Sequence, residues 1–251
     1  MIGSARVTFG RRGERTQSSS AAVVRADFEA CQAGAAVYSP LTLRLYDAWV
    51  LGLSNRYAWG CPTAEVLLPF FRRQVGRRHL EVGVGTGYYL AKAELPADTE
   101  VTLLDLNPVS LAAAQGRFGR PARTLRHDVL EPLEPTVGPF DSIALYYLLH
   151  CLPGSLAQKG RVFAQLAPVL APGGVLFGAT ILGDTAGHNR FGQRLMALYN
   201  RKGIFGNAHD TLADLERELR RHFARIELRQ VGRVALFSAR EPHAGGARAP
   251  G

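Results

Sequence analysis

No apolar run in this 251-residue sequence approaches the roughly 20 residues that a bilayer span requires. The longest, Val175 to Leu182 and Ile143 to Leu149, are short and bounded by glycine or by His150, so membrane insertion is not expected. Cysteine is scarce too. Cys31, Cys61 and Cys151 are far apart, form no CxxC pair and leave an odd one over, which points to neither a disulfide framework nor a zinc site. A reducing, cytoplasmic setting and no bound metal are the expectations. Basic stripes interleaved with aromatics are also lacking, since "RELRRHFARIELR" reads as a solvated helix face leading into a strand. No internal repeat is evident.

What is present is the composition of a globular core, 47% apolar, in a chain at the upper end of one ordinary domain. The net charge of +9 suggests nucleic acid until it is mapped. In the first 25 residues Arg6, Arg11, Arg12, Arg15 and Arg25 are set against Glu14 alone, so a good part of the excess belongs to a tail. Residues 1–39 are read as a basic, disordered extension without the apolar core of a secretory signal, an Arg-rich organelle leader being the alternative. Residues 241–251 are read as a second disordered tail, which leaves about 40–240 as the folded unit.

From residue 40 to about 77 apolar residues recur at helical spacing, with Pro40 and Pro62 as helix starts and a joint near Gly60. After residue 78 short β-rich runs alternate with helical ones. The expected strands are 78–84, 100–106, 122–128, 140–149 and 174–182, with helices at 86–94, 108–118 and 157–171. Two more helices, 187–201 and 211–223, precede "RIELRQVG" and "RVALFSAR", which are close enough to pair as a hairpin. The fold class is α/β: a Rossmann-like, mostly parallel sheet with an antiparallel C-terminal edge hairpin and helices on both faces.

The stretch "HLEVGVGTGYYL" places Gly83, Gly85 and Gly87 after the first strand, where a bare backbone lets a ligand approach the carboxyl ends of the strands. A dinucleotide fingerprint would need a small residue where Tyr88 stands, and Glu81 beside the loop suits a cation better than a diphosphate. S-adenosylmethionine is therefore the expected cofactor. Asp105, ending the second strand, can accept from ribose hydroxyls, and Asp128, ending the third, from an adenine amino group.

This succession, followed by "FDSIALYYLLHCLPG" and "LAPGGVLFGATIL", resembles the class I S-adenosylmethionine-dependent methyltransferases over about residues 40 to 240. It is most similar to the small-molecule type, as in ubiquinone-biosynthesis-like and secondary-metabolite enzymes. The resemblance implies cofactor contacts at Glu81, Gly83, Gly85, Gly87, Asp105, Leu106, Asp128 and Val129, with Leu106 packing on the adenine. Tyr46 or Tyr38 would cap the methionine end, Tyr146 would be a further cofactor contact, and residues 40–77 would form a helical lid.

Methyl transfer requires chiefly an aligned nucleophile and a site without water. The acceptor would meet residues after the fourth strand: Tyr146, Tyr147 and His150, the last as general base, with Tyr38, Trp59 and His188 as lid candidates. His127 is expected to face away, and Cys151 has no neighbouring base to activate it. The D/N-P-P-Y/F signature of nucleic-acid amino methyltransferases is missing, and "GCPT" reverses the Pro-Cys order of cytosine enzymes. A small, aromatic or apolar acceptor is expected, and nucleic acid is not. The alternatives are a protein that binds S-adenosylmethionine without methylating and an NAD-dependent oxidoreductase.

Overall fold

The computed structural model describes residues 48–183 and 187–243. Cys31, Tyr38, Tyr46 and the expected helix start at Pro40 lie outside the described residues, as do 1–39 and 244–251.

Two helical segments precede the sheet. In α1 (Ala48–Ala58) the turns are π-wound, and the Trp59 amide reaches back to Ser54 O at 2.9 Å. The chain reverses at Gly60, where φ is 62°, and a π-wound turn, Thr63–Leu67, follows Pro62 and runs into α2 (Leu68–Gln74). The joint falls where the sequence placed it.

Strands β1 (Arg78–Val82), β2 (Glu100–Asp105), β3 (Arg123–Arg126), β4 (Phe140–Tyr146) and β5 (Leu170–Ile181) pair in parallel. Their crossovers carry α3 (Tyr88–Lys92), α4 (Pro108–Phe118), and the short pair α5 (Leu156–Lys159) and α6 (Arg161–Leu166). Then come α7 (Arg190–Arg201), α8 (Leu212–His222), β6 (Phe223–Val231) and β7 (Val234–Pro242). The sheet order is β3-β2-β1-β4-β5-β7-β6.

The C-terminal hairpin forms, but its second strand is the one inserted next to β5, antiparallel to both neighbours. Burial explains the choice. Val234 to Ala239 are all buried, whereas β6 exposes Arg225, Glu227 and Arg229, so the apolar strand takes the inner place and the charged one the edge.

Alternation along the strands divides the interior into two cores. Leu80, Val82, Leu104, Ile143, Leu145 and Leu176 point to the face covered by α5, α6 and α8. Val101, Leu103, Ala144, Tyr146 and Phe177 point to the face covered by α2 and α3. Glu81 and His79, two residues apart on β1, share this second face and are both buried.

Boundaries follow local chemistry. α4 spans the expected 108–118, because Asn107 accepts from the Val109 amide at 2.9 Å and Gly119 closes the helix at φ 70°. β4 stops at Tyr146, short of the expected 149: Tyr147 adopts φ 57° and the chain enters a 3-10 turn, Leu149–Cys151. β5 starts four residues earlier than expected, at Leu170 instead of 174, and the helix expected over 157–171 is broken at Gly160. Among the described residues no helix is long and apolar enough to cross a membrane.

Candidate functional site

The glycine loop joins β1 to α3 at the carboxyl rim of the sheet. Its backbone is tied down, with the Gly83 amide donating to Leu104 O at 2.8 Å and the Gly87 amide to Val84 O at 2.9 Å. All three glycines have positive φ, at 70°, 51° and 69°. They do different jobs. A methyl group on Gly83 would strike the Leu148 side chain at 2.7 Å, and one on Gly87 would lie 2.7 Å from Ala114 Cα, whereas at Gly85 nothing lies within 4 Å. Gly85 alone opens onto the space before the strand ends, and the other two let Leu148 and α4 close against the loop. Gly87→Ala should therefore destabilise the fold by about 2–4 kcal/mol, through overpacking and left-handed strain. Gly85→Ala should cost about 1 kcal/mol and act chiefly on ligand binding. Thermal melts beside ligand titrations separate the two.

Three carboxylates lie at the carboxyl ends of the first strands, Glu81 within β1, Asp105 as the last residue of β2, and Asp128 two residues past the end of β3, which stops at Arg126 and not at the expected 128. Asp105 accepts the Asn107 amide at 2.8 Å, and its pKa is raised by burial against the pull of backbone amides from Asn107, Gly85, Val84 and Leu106. The acid of β2 is thus drawn toward the glycine loop. Asp128 accepts from the Leu130 amide at 2.9 Å, and the preceding residue, His127, donates its amide to Asp105 O at 3.2 Å, which joins the ends of β2 and β3. The His127 ring instead contacts Glu131 O at 3.1 Å. Leu106 is half-buried beside Asp105, while the Val129 side chain packs into the core with Leu80, Val82 and Leu104.

Glu81 is 4% exposed. Burial raises its pKa, opposed by a hydrogen bond from His79 Nε2 at 3.1 Å, a neighbour that the sequence reading passed over. Period-2 alternation would have found it, because residues 79 and 81 of one strand must share a face. Tyr88 opens α3 with the Arg117 guanidinium 5.3 Å from its ring centre, a bulky pair where a dinucleotide loop needs a small residue.

Beyond β4 and β5 the wall is aromatic. The His150 ring lies 5.2 Å from Tyr147 and 4.6 Å from Phe205; Phe205 in turn meets Tyr199 at 4.9 Å and Trp59 at 6.3 Å. His150 Nδ1 accepts the Ile181 amide at 3.3 Å, so the neutral ring carries its proton on Nε2. Burial, then the charge of Lys159, push its pKa down to about 3. As placed, His150 can donate from Nε2 but has its lone pair engaged, which suits it poorly to the expected role of base. His188 is arranged the other way. Its Nε2 faces the carbonyls of Leu182 and Gly183 at 3.0 and 2.9 Å, and its buried Nδ1 has no partner among the described residues.

The Tyr146 hydroxyl donates to Leu67 O at 2.9 Å, and its ring lies within a cluster with Phe71, Tyr89 and Phe177, so the side chain is committed to the core. Tyr147 donates to Asn55 Oδ1 at 3.0 Å, and Asn55 Nδ2 donates to Thr63 Oγ1 at 2.8 Å. This bridge from α1 to the end of β4 was not foreseen, since an asparagine in an amphipathic stretch carries no signal of its distant partner. Burial pushes the Cys61 thiol up to about 12. A groove of about 450 Å³ beside Arg78, Glu100 and Arg123 lies at the amino ends of the strands, the rim opposite the glycine loop and away from where such sheets bind ligands. No group of three His, Cys, Asp or Glu among the described residues is placed to hold a metal ion.

Residues 80–176 match a family described as "Methyltransferase domain". The chain is 44% identical over 211 residues to the Physcion biosynthesis cluster O-methyltransferase of Aspergillus chevalieri, covering 83% of this chain and 95% of that one. It is 44% identical over 186 residues to the N-methyltransferase vrtF of Penicillium aethiopicum, covering 73% and 78%. Among solved structures, the DhpI–SAH complex aligns with a TM-score of 0.56 at 16% identity, over 79% of this chain and 91% of that one.

Proposed function

The chain belongs to the class I S-adenosylmethionine-dependent methyltransferases, and from that premise we propose that its acceptor is a small aromatic molecule methylated at a heteroatom borne on the ring. The observation that carries this reading is the aromatic cluster beyond β4 and β5, in which Tyr147, Tyr199 and Phe205 are half-buried and are backed by the buried rings of Trp59 and His150. Relatives named as O- and as N-methyltransferases support the acceptor class and leave the atom to be determined.

The rim fits the cofactor's chemistry. Gly85 leaves open space, Glu81 offers a carboxylate to an ammonium, and Asp105 offers one to a diol. When bound, S-adenosylmethionine supplies an electrophilic methyl on its sulfonium. The chain's contribution is to hold and align. In our reading Asp105 fixes the ribose, Asp128 and the backbone at Val129 the adenine, and Leu106 lies against that ring. Residues 40–77 act as the lid of a domain spanning about 40–240, and the Tyr147–Asn55–Thr63 bridge latches α1 and the turn after it over the end of β4. Such closure excludes water, which concentrates the reaction on the bound acceptor.

Asp105→Ala should weaken S-adenosylmethionine binding by about 1–3 kcal/mol, the worth of a charged hydrogen-bond partner. Calorimetric titration of a variant with an unchanged melting curve checks it, and an unaltered Kd would remove Asp105 from the site. The acceptor reading is tested by incubating the protein and cofactor with matched phenols, arylamines, thiophenols and aliphatic alcohols. Methyl transfer to an aromatic series is expected. Turnover of aliphatic compounds alone would overturn the proposal.

A further inference from the structure

Inside the sheet, behind Glu81, lies a polar chain that neither the fold nor the site residues above account for. The Gly76 amide donates to Ser142 Oγ at 2.8 Å, and Ser142 Oγ lies 2.8 Å from His79 Nδ1. An ionised Glu81 can only accept, so the His79 proton that faces it sits on Nε2, 3.1 Å from Glu81 Oε2, and Nδ1 of the neutral ring is left to accept from the Ser142 hydroxyl, whose oxygen takes the Gly76 amide. His79 and Ser142 are fully buried, Glu81 nearly so, and the ring is walled by Phe71 at 5.8 Å and Phe177 at 6.1 Å.

Two valines would complete this face of β1 at lower cost, because each polar group taken from water needs a partner to offset its desolvation. The chain of donors has one direction and one end. The links are mutually consistent, and the last holds a carboxylate: Oε2 is held by His79, while Oε1 has no protein partner among the hydrogen bonds of the described residues. A carboxylate that met the cofactor without this support could rotate, or take up the proton that burial favours.

We propose that His79 is a positioning residue for the amino-acid end of the cofactor, holding Glu81 ionised and in one orientation so that its second oxygen is presented to the ligand's ammonium. This rests on the reading that Glu81 faces that ammonium. His79 touches no ligand itself, and Ser142 holds the far side of its ring.

The test uses calorimetric titration of the full chain with two probes, S-adenosylhomocysteine, which has the amino-acid end, and 5′-methylthioadenosine, which lacks it. His79→Leu should weaken the first by roughly 10-fold, the size of one charge-assisted hydrogen bond, and leave the second unchanged. His79→Gln, which keeps an N–H near the ε position, should restore most of the loss. In a Glu81→Gln background His79→Leu should have no further effect, since the interaction it removes is already gone. Equal weakening of both probes, or additive losses in the double variant, would show a packing role and overturn the proposal. Should His79→Leu fail to fold, Ser142→Ala carries the same comparison: it should weaken S-adenosylhomocysteine and spare 5′-methylthioadenosine, and no loss for either probe, or equal loss for both, would also overturn the proposal. If Glu81→Gln alone leaves S-adenosylhomocysteine binding intact, the fault lies with the assignment of Glu81, and that outcome is distinct from a failure confined to His79.

Discussion

Lowering the pH from 7 to 4 should cost the fold about 3 kcal/mol through His150 alone. The imidazole is 3% exposed, its Nδ1 accepts the Ile181 amide, and burial with the nearby Lys159 charge holds its pKa at about 3. In the unfolded chain it titrates at the ordinary value of about 6.5. Below that pH the unfolded chain binds a proton that the folded chain refuses, so protonation favours unfolding. The stabilisation is complete above pH 6.5 and is lost progressively as the pH falls toward 3. Glu81 and Asp105 work in the opposite sense, because burial raises their pKa values, while Asp141, held down by Arg78, adds to the acid sensitivity at the lower end. The variant that isolates His150 is His150→Asn, whose side-chain oxygen can still accept from Ile181 but which has no proton to gain. Denaturant titrations at several pH values should give curves that diverge by about 3 kcal/mol between the wild type and this variant. Parallel curves would mean that the ring is protonated or exposed in solution.

Lys159→Met should destabilise the protein by about 3–5 kcal/mol, although its side chain never reaches solvent. Lys159 Nζ donates to Asp210 Oδ2 at 2.5 Å and to Gly206 O at 2.9 Å, from side chains that are 0% and 4% exposed. Burial alone would drive the lysine pKa down and the aspartate pKa up, and each charge is kept by the other. Removing the lysine leaves a buried carboxylate without compensation. The same loop is held by the Gly206 amide on His150 O at 2.8 Å and by Asn207 Nδ2 on Ile181 O at 2.8 Å, so the loss should spread to the Phe205 wall. Replacing both partners, Lys159→Met with Asp210→Leu, removes the stranded charge and should recover a large part of the stability. Urea unfolding of the two singles and the double measures this. A double variant no better than Lys159→Met would place the cost in packing, not in charge. The first variant also bears on the previous prediction, since loss of the Lys159 charge should raise the His150 pKa and soften the acid transition.

Much of the molecule could be read from the chain because the relevant signals are local. The turn after β1 needs its glycines, α4 needs Asn107 and Pro108, and the acids at 81, 105 and 128 stand at or near strand ends wherever the strands lie. What was not legible depends on pairings across the sheet. β6 and β7 read as a hairpin, but which of them joins β5 is decided by two-sided burial that appears only once helices cover the faces. The strand ending at Tyr146 looked three residues longer because Tyr147 to Leu149 are as apolar as the strand itself; only the left-handed turn at Tyr147 separates them. Asn55, Ser142, Lys159 and Asp210 were missed for one reason. Each is a single polar residue whose partners lie from 8 to 92 positions away.

At the turn between β6 and β7, Gly232 packs so closely on Trp59 and Gly60 that a methyl group there would lie 2.2 Å from Trp59 O. The next peptide belongs to both neighbours: the Arg233 amide donates to Trp59 O at 2.7 Å, and Arg233 O accepts from the Leu182 amide at 2.8 Å. One residue thus spans the gap between the α1–α2 connector and the end of β5. The Arg233 hydrogen can exchange with solvent only when the connector lets go, so its deuterium uptake is a built-in clock for opening of the proposed lid. A bound acceptor that keeps the lid shut should slow that clock without altering exchange at the centre of β1.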